Sequence, residues 1–177
     1  MTVTDQHYTF IQKALHWLIA LTVLGALGVG AALDWLGNGA LKNQLYALHK
    51  ATGILILGLM LLRLAARFIF GAPPLPAHVP GWQRKASSAT HFLLYALLLA
   101  MPVVGWAATS AFPAPLPFFG LFDVPPLIGK DRELSKQLFE IHEIMGKAIF
   151  ALLILHIGAA LQHALIKKDG VLRRMWF

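Results

Sequence analysis

Histidines carry most of the candidate chemistry in this chain of 177 residues, which is 58% hydrophobic and only 13% charged. Three of them, His142, His156 and His163, lie in the segment HEIMGKAIFALLILHIGAALQH. No Lys, Arg, Asp or Glu occurs between residues 148 and 166. An ionisable side chain inside a membrane is costly, so such residues usually face a bundle interior and serve a function.

Helical geometry places these three histidines on one stripe. A helix rises about 1.5 Å per residue, so His156 lies roughly 21 Å from His142, and fourteen steps of about 100° return to within some 40° of the same face. His163 follows seven residues later, about 10 Å further along. The stripe therefore runs from one membrane interface toward the other.

The elements that must position this stripe are four apolar segments. Each is long enough to cross a bilayer, and lipid leaves the backbone no partners other than its own helix. The mean hydropathy of +0.66 also lies far from that of a soluble domain. We predict an all-α membrane protein, a four-transmembrane-helix bundle forming one domain over residues 1–177 in contact with membrane lipid. The predicted helices cover about residues 10–36, 45–70, 87–112 and 134–166.

Charge and cysteine usage exclude several classes of protein. The net charge is +7, which in so apolar a chain indicates contact with anionic lipid, and we expect no nucleic-acid partner. Cysteine is absent, which excludes thiolate-held iron–sulfur clusters and C-x-x-C-H haem attachment. Any metal must be held by histidine or carboxylate.

The distribution of Lys and Arg predicts the orientation. With four spans, both termini and the second link share one side of the membrane, which carries nine Lys and Arg residues against six on the other. The positive-inside rule then places both termini in the cytoplasm. The opening residues do not resemble a cleavable signal peptide, so we expect the first span to remain in the protein.

Histidines on the other helices match the stripe in depth. His49 opens the second helix on the predicted periplasmic side, at the depth of His142. Each is followed four residues later by a glycine, Gly53 and Gly146, on the same helix face, where a flat macrocycle could lie. The cytoplasmic half offers four histidines: His16, His91, His156 and His163.

Paired histidines at two depths are the ligand arrangement that bis-histidyl haem requires, and a four-helix bundle can hold a porphyrin between its helices. Packing histidines, or a proton path, are the simpler alternative. A zinc or copper site is another, since imidazole suits both metals, but its ligands would gather at one depth. His7 and His78, in polar or proline-rich segments, are expected to be solvated.

The whole chain resembles the bacterial cytochrome b561 family of small di-haem membrane proteins. The resemblance lies in the order and spacing of the histidines within five motifs. These are LHWLIAL at 15–21, LHKATGILIL at 48–57, THFLLYALLLAMPVVGW at 90–106, EIHEIMG at 140–146 and LHIGAALQHALIKKDGVLRRM at 155–175.

The resemblance implies two haems b, one held by His49 with His142 at the periplasmic level and one by His16 with His156 at the cytoplasmic level. Depth alone leaves His91 and His163 as competitors at the second level. The resemblance also implies electron transfer between the periplasmic side and the quinone pool of the bacterial inner membrane. Its most specific form is a superoxide:ubiquinone oxidoreductase.

Other residues are assigned roles around these haems. A histidine free of iron at the cytoplasmic level, His163 or His91, could hydrogen-bond a quinone carbonyl and deliver its proton. Four cations are candidates for haem propionates or a small anion: Lys50, Lys147, Arg63 and Arg67. Arg63 and Arg67 could equally be snorkelling residues of the cytoplasmic interface.

Two other functions remain open at this stage. A haem b membrane-anchor subunit would accept electrons from a periplasmic dehydrogenase or hydrogenase. A bundle without haem would bind a metal or conduct protons.

Overall fold

The computed structural model describes residues 7–76 and 78–177 and has four long helices. The first three are α1 (Phe10–Trp35), α2 (Ala40–Phe70) and α3 (Gly81–Ala111). The fourth, α4 (Arg132–Leu161), continues into a π-helical turn, Gln162–Lys167. All four are long and apolar enough to cross a membrane. The predicted all-α four-helix membrane bundle is confirmed.

The helix starts follow from local capping. Thr9 begins α1 with a capping box, because its hydroxyl accepts from the Gln12 amide while the Gln12 side chain accepts from the Thr9 N–H. Asp131 caps α4 through its side chain alone, its carboxylate accepting the amides of Glu133 and Leu134.

Two helices begin earlier than their apolar runs. The sequence predicts starts near residues 45 and 87, whereas α2 begins at Ala40 and α3 at Gly81. The added turns, ALKNQ and GWQRKA, include the good helix formers Ala, Gln, Lys and Arg, and the Lys42 ammonium donates to the carbonyl of Leu36. The helices therefore extend past the apolar segment at these ends, which hydropathy alone does not reveal.

A small hairpin interrupts the long link between α3 and α4. Strands β1 (Pro117–Phe118) and β2 (Phe122–Asp123) pair antiparallel, with Pro117 opposite Asp123. The turn has Gly120 at φ +76°, a left-handed conformation that glycine adopts without steric cost. A 3₁₀ helix, Leu172–Met175, follows the π-helical turn near the C-terminus.

Buried apolar side chains form a narrow core halfway along the bundle. Its members come from α1, α2 and α4: Ile19, Val23, Ile56, Leu59, Met60 and Ile149. Large apolar side chains on the outer faces are widely exposed, for example Phe68, Phe92 and Ile154. An apolar exterior of this extent suits lipid rather than water.

Helix packing leaves α4 apart from two of its neighbours. Successive helices pack together, α1 on α2, α2 on α3 and α3 on α4. Over the described residues, by contrast, the backbones of α1 and α2 scarcely approach that of α4. Histidine rings bridge both gaps, His16 with His156 between α1 and α4, and His49 with His142 between α2 and α4.

Candidate functional site

The first candidate site is a histidine pair between α2 and α4. The rings of His49 and His142 have centroids 6.1 Å apart and lie at 78° to one another. We call this the His49–His142 level. Two metal–nitrogen bonds of about 2 Å each, with each ring centroid roughly 1.1 Å behind its nitrogen, put two coordinating imidazoles about 6 Å apart. The rings have this spacing.

A backbone carbonyl determines which nitrogen of His142 is free. Its Nδ1 lies 3.2 Å from the carbonyl oxygen of Met101 on α3. Because a carbonyl can only accept, Nδ1 must carry the proton, which leaves the lone pair on Nε2 for a metal. Such a contact fixes ring orientation and raises ligand basicity.

Glycines back both rings of this level. A Cβ at Gly105 of α3 would lie 2.9 Å from Cε1 of His142, and one at Gly30 of α1 would lie 3.2 Å from Cε1 of His49. The ring of His49 lies near the backbone carbonyl of Ala26, although its buried Nδ1 is outside strict hydrogen-bond geometry with every described residue. Both rings are thus seated against glycine backbone, with less room for a Cβ at Gly105 than at Gly30.

The glycines singled out from the sequence behave differently. A Cβ at Gly53 would meet nothing within 4 Å, and one at Gly146 would meet only the Met101 methyl at 3.4 Å. Neither backs a histidine. Gly53 instead lines a narrow, partly open apolar cavity that His49 and His142 share. A flat apolar group inserted between the two rings would enter this cavity.

The second candidate site is a cluster of three histidines, which we call the His16–His156 level. The ring centroids of His16 and His156 are 6.1 Å apart at 89°. His91 lies nearer to His156, with centroids 5.2 Å apart, which is too close for a metal coordinated by both rings in place. Nδ1 of His91 is 2.6 Å from the carbonyl oxygen of Ser87 on the same helix.

Arg63 brings positive charge to the His16–His156 level. Its Nε donates to the hydroxyl of Tyr95 at 3.0 Å, and its guanidinium carbon lies 5.7 Å from the centre of that ring. The buried Nη1 has no hydrogen-bond partner among the described residues. A buried guanidinium nitrogen is costly unless paired, so this one suits an anionic group such as a haem propionate.

The other three candidate cations lie elsewhere. Arg67 is exposed. The Lys50 ammonium is 2.5 Å from the carbonyl of Pro115, and exposed Lys147 pairs with Glu143 of its own helix at 2.6 Å. Lys50 and Lys147 therefore already bind other groups of the protein, and Lys147 adds no net charge to its surroundings.

His163 lies outside both histidine pairs. Its Nδ1 is 2.5 Å from the carboxylate of Asp169, and its side chain is only 12% exposed. Of the two histidines expected to be solvated, His7 is exposed. His78 is 56% exposed but lies 3.5 Å from the same carboxylate.

Ligand number argues against a bare metal ion. Within residues 7–76 and 78–177, no group of three or more His, Cys, Asp or Glu side chains is arranged to hold one. Two ligands on opposite sides suit a metal that brings its own four equatorial donors, as haem iron does. The zinc or copper alternative finds no support in this geometry.

Sequence reasoning missed Gly30, Gly105 and Tyr95, although a signal for the two glycines exists. On each of the four helices, two residues of the site lie fourteen positions apart, one at each histidine level. The four pairs are His16 with Gly30, His49 with Arg63, His91 with Gly105, and His142 with His156. Applying the His142–His156 spacing to the other helices would have identified them.

Comparisons with known proteins agree with this architecture. The sequence profile of the family described as prokaryotic cytochrome b561 matches residues 7–177. Cytochrome b561 homolog 2 of Escherichia coli (strain K12) is 32% identical over 98% of this chain and 93% of its own length. Cytochrome b561 homolog 1 of the same organism is 32% identical over 93% of each chain. The probable superoxide oxidase CybB of Yersinia pestis is 26% identical over 95% of this chain and 94% of its own length.

Proposed function

Since the chain belongs to the prokaryotic cytochrome b561 family of transmembrane electron-transfer proteins, we propose that it holds two haems b and joins a periplasmic electron donor to the quinone pool. Haem b binding and a multi-pass bacterial membrane location follow from the family. The number of haems, their ligands and the redox partners are our proposal. We further propose that residues 1–177 form one domain.

The proposed axial ligands are His49 with His142, and His16 with His156. The observation that carries this assignment is the equal spacing of the two pairs, 6.1 Å between ring centroids in each. The Met101 carbonyl, by binding Nδ1 of His142, leaves Nε2 for the iron. Each haem supplies a one-electron Fe(III)/Fe(II) couple, which the surrounding residues tune.

Arg63 is the proposed propionate partner of the His16–His156 level. Its free Nη1 and its Tyr95 contact support this role. Arg67, Lys50 and Lys147 are retained as peripheral contacts for propionate or a small anion, with less support because they are exposed or paired.

The separation of the two levels suits electron transfer across the membrane. Fourteen residues of α4 separate His142 from His156, a rise of roughly 21 Å. The apolar core around Ile56 and Ile149 lies between the levels and excludes water from the intervening bundle.

We propose that both termini lie in the cytoplasm. They meet at one end of the bundle, where the Tyr8 N–H donates to the Arg174 carbonyl at 3.2 Å and the rings of Trp17 and Trp176 are 5.2 Å apart. The excess of Lys and Arg on this end supports its cytoplasmic placement. The His49–His142 level is then periplasmic.

Superoxide is the proposed periplasmic donor. The relative named as a probable superoxide oxidase supports this choice. Two superoxide anions would each lose one electron to become O₂, and one quinone would take up both electrons with two protons to become a quinol. Local charge contributes little steering, because Lys147 is neutralised by Glu143.

Ubiquinone is the proposed acceptor at the cytoplasmic end, where His163 and His91 are the candidate contacts. His91 lies beside His156 without the spacing of a second ligand. His163 is held by Asp169 through Nδ1; as an imidazolium it would also present Nε2–H as a donor to a quinone carbonyl.

A stopped-flow experiment tests the proposed function. Purified protein in lipid nanodiscs is mixed with superoxide at increasing concentrations, with and without a short-chain ubiquinone. We expect reduction of b-type absorption bands faster than spontaneous dismutation, followed by quinol formation in the sample that contains quinone. A haem protein that superoxide does not reduce would instead favour the anchor-subunit function, and absent b-type bands would reject both.

A further inference from the structure

Three side chains meet at the end of α4, outside both histidine pairs. One carboxylate oxygen of Asp169, Oδ2, lies 2.5 Å from Nδ1 of His163 and 3.5 Å from Nε2 of His78. We call these residues the His78–Asp169–His163 chain. They come from the π-helical turn, the segment after it and the link between α2 and α3.

The backbone after α4 turns back to build this contact. The helix widens into the π-helical turn Gln162–Lys167, which contains His163. Lys168 at φ +50° and Gly170 at φ +79° then reverse the chain. The Val171 amide donates to Oδ1 of Asp169 at 3.2 Å, which leaves Oδ2 to the two imidazoles.

The link that carries His78 is anchored to two other elements. The Arg84 guanidinium donates to the carbonyls of Pro76 and Val79 at 2.8 Å, one on each side of His78. Arg174 of the C-terminal segment donates to the carbonyl of Pro74 at 2.9 Å. Since a proline-rich link has little regular hydrogen bonding of its own, these contacts fix where His78 lies.

Along the His78–Asp169–His163 chain, the side chains become less exposed to solvent from His78 inward. The side chain of His78 is 56% exposed, whereas those of Asp169 and His163 are 9% and 12% exposed. His78 can therefore exchange protons with solvent, and Asp169 connects it to a histidine that is largely shielded.

The charges around Asp169 favour an ionised carboxylate. Burial raises the pKa of Asp169, but hydrogen bonds from His163 and from the Val171 amide outweigh burial and leave the pKa below its ordinary value. Among the neighbouring cations, Lys167 bonds to the Gln83 side chain, while Arg84 and Arg174 bond to carbonyls of the link. An anion between two imidazoles can accept a proton from one and pass it to the other.

We propose that the His78–Asp169–His163 chain is the cytoplasmic proton inlet for quinone reduction. The inference rests on the proposed function, because it takes His163 as the residue that faces the quinone. It adds two residues, His78 and Asp169, that do not themselves touch the quinone and act through His163.

Each transfer along the chain moves one proton. His163 starts as an imidazolium that donates Nδ1–H to the ionised Asp169, and its Nε2 releases a proton to the quinone oxygen that receives electron density. A proton then passes from Nε2 of His78 to Oδ2 of Asp169; the neutral His163 ring rotates, and its deprotonated Nε2 takes this proton from Oδ2. His78 recovers its proton from water, and the His163 ring rotates back to its starting orientation. Two such transfers, with two electrons from the donor, convert the quinone to a quinol.

The test follows reoxidation and proton uptake together. Dithionite-reduced, haem-loaded protein in nanodiscs is mixed with a short-chain ubiquinone in weakly buffered medium containing a pH-indicator dye. The variants are His78→Gln, Asp169→Asn and the matched control His7→Gln, which alters another exposed histidine. Haem content and spectrum check that each variant is intact.

We expect His78→Gln to slow both signals about tenfold at pH 8 and much less at pH 6, where solvent supplies protons more readily. Added imidazole should restore the rate, because it can carry protons in place of the missing ring. Asp169→Asn should slow both signals more strongly, and His7→Gln should match the wild type.

The outcomes separate the two proposals. If wild-type protein is not reoxidised by quinone, the proposed function fails and the inlet fails with it. If wild-type protein is reoxidised and His78→Gln matches it at pH 8, only the inlet is rejected. A slow His78→Gln protein that imidazole does not rescue would show a structural contact and would equally overturn the inlet.

Discussion

Gly105 of α3 lies so close to His142 of α4 that a Cβ at this position would stand 2.9 Å from Cε1 of the imidazole and 3.1 Å from Nδ1. The ring cannot easily move away, because Nδ1 is also bound to the Met101 carbonyl one turn earlier on the same helix. One face of α3 thus both orients the ring and leaves room for it.

Replacing Gly105 by alanine should therefore selectively disturb the haem proposed at the His49–His142 level. Forcing a methyl group into a packed contact typically costs about 1–3 kcal/mol, and here the ring must tilt to relieve it. We expect Gly105→Ala to lower haem content toward one per chain, measured by the pyridine haemochrome assay.

Two glycines of α1 provide graded controls for that measurement. A Cβ at Gly30 would meet His49 at 3.2 Å, and one at Gly25 would meet nothing within 4 Å. Gly30→Ala should have a smaller effect than Gly105→Ala, and Gly25→Ala should have none. Equal haem content in all three variants would contradict the seating of the rings against glycine.

Arg63 should raise the reduction potential of the haem at the His16–His156 level. A nearby cation favours the reduced iron. Arg63→Gln should therefore make reduction less favourable by about 1 kcal/mol, which lowers the one-electron reduction potential by roughly 40 mV. Tyr95→Phe should cause a smaller decrease, since it removes only the contact that positions the guanidinium. Spectroelectrochemical titration measures both.

Arg67→Gln is the matched control, because it removes the same charge from an exposed position one turn away. Its effect on the potential should be small, since solvent screens an exposed charge. A decrease as large as that of Arg63→Gln would mean that Arg63 acts only as one of several interfacial charges.

The architecture could be predicted from the sequence because its causes are local. Lipid requires each apolar run to be helical, and helix geometry puts His142 and His156 on one face. Which of His16, His91 and His163 joins His156 in a ligand pair depends on how the neighbouring helices are rotated relative to α4. The periodicity of a single helix gives no information on that rotation. The structure places His163 against Asp169 and gives His16 the spacing of a ligand.

Contacts between distant segments were the least visible from sequence. His78 in the proline-rich link is a plausible solvated residue when read alone, because its partner Asp169 lies about ninety residues away in the chain. The π-helical turn and the left-handed Lys168 that bring Asp169 back have no clear sequence signature. Only the folded arrangement shows that these residues meet.

Asp169 should contribute stability with a defined pH dependence. Burial raises its pKa, but the hydrogen bonds from His163 and Val171 leave the pKa below the ordinary 3.8. A group with a lowered pKa stabilises the fold above its ordinary pKa and loses that contribution as pH falls through the lower, folded value. The wild-type protein should therefore unfold at a higher temperature than Asp169→Asn at neutral pH.

The difference in unfolding temperature between the two proteins should stay constant above about pH 5 and shrink below about pH 4. Differential scanning fluorimetry in detergent, at a series of pH values, measures it. A difference that persists unchanged at the acidic end would show that the carboxylate charge is not what stabilises this contact.

Orientation can be tested independently of any cofactor. A fluorescent protein that folds only in the cytoplasm, fused after Phe177, should be fluorescent in intact bacteria, and a periplasmic alkaline phosphatase fused there should be inactive. The reverse pattern would place the His49–His142 level in the cytoplasm and would require the donor and acceptor sides to be exchanged.

The most direct test of the account is a haem count on single histidine variants. Wild-type protein should contain two haems b per chain, and His156→Ala and His142→Ala should each contain one, with different remaining potentials. His91→Ala should keep both, because His91 lies beside His156 without the spacing of a ligand pair. Two haems in His156→Ala, or one in His91→Ala, would contradict the assignment of His16 and His156 as the second ligand pair.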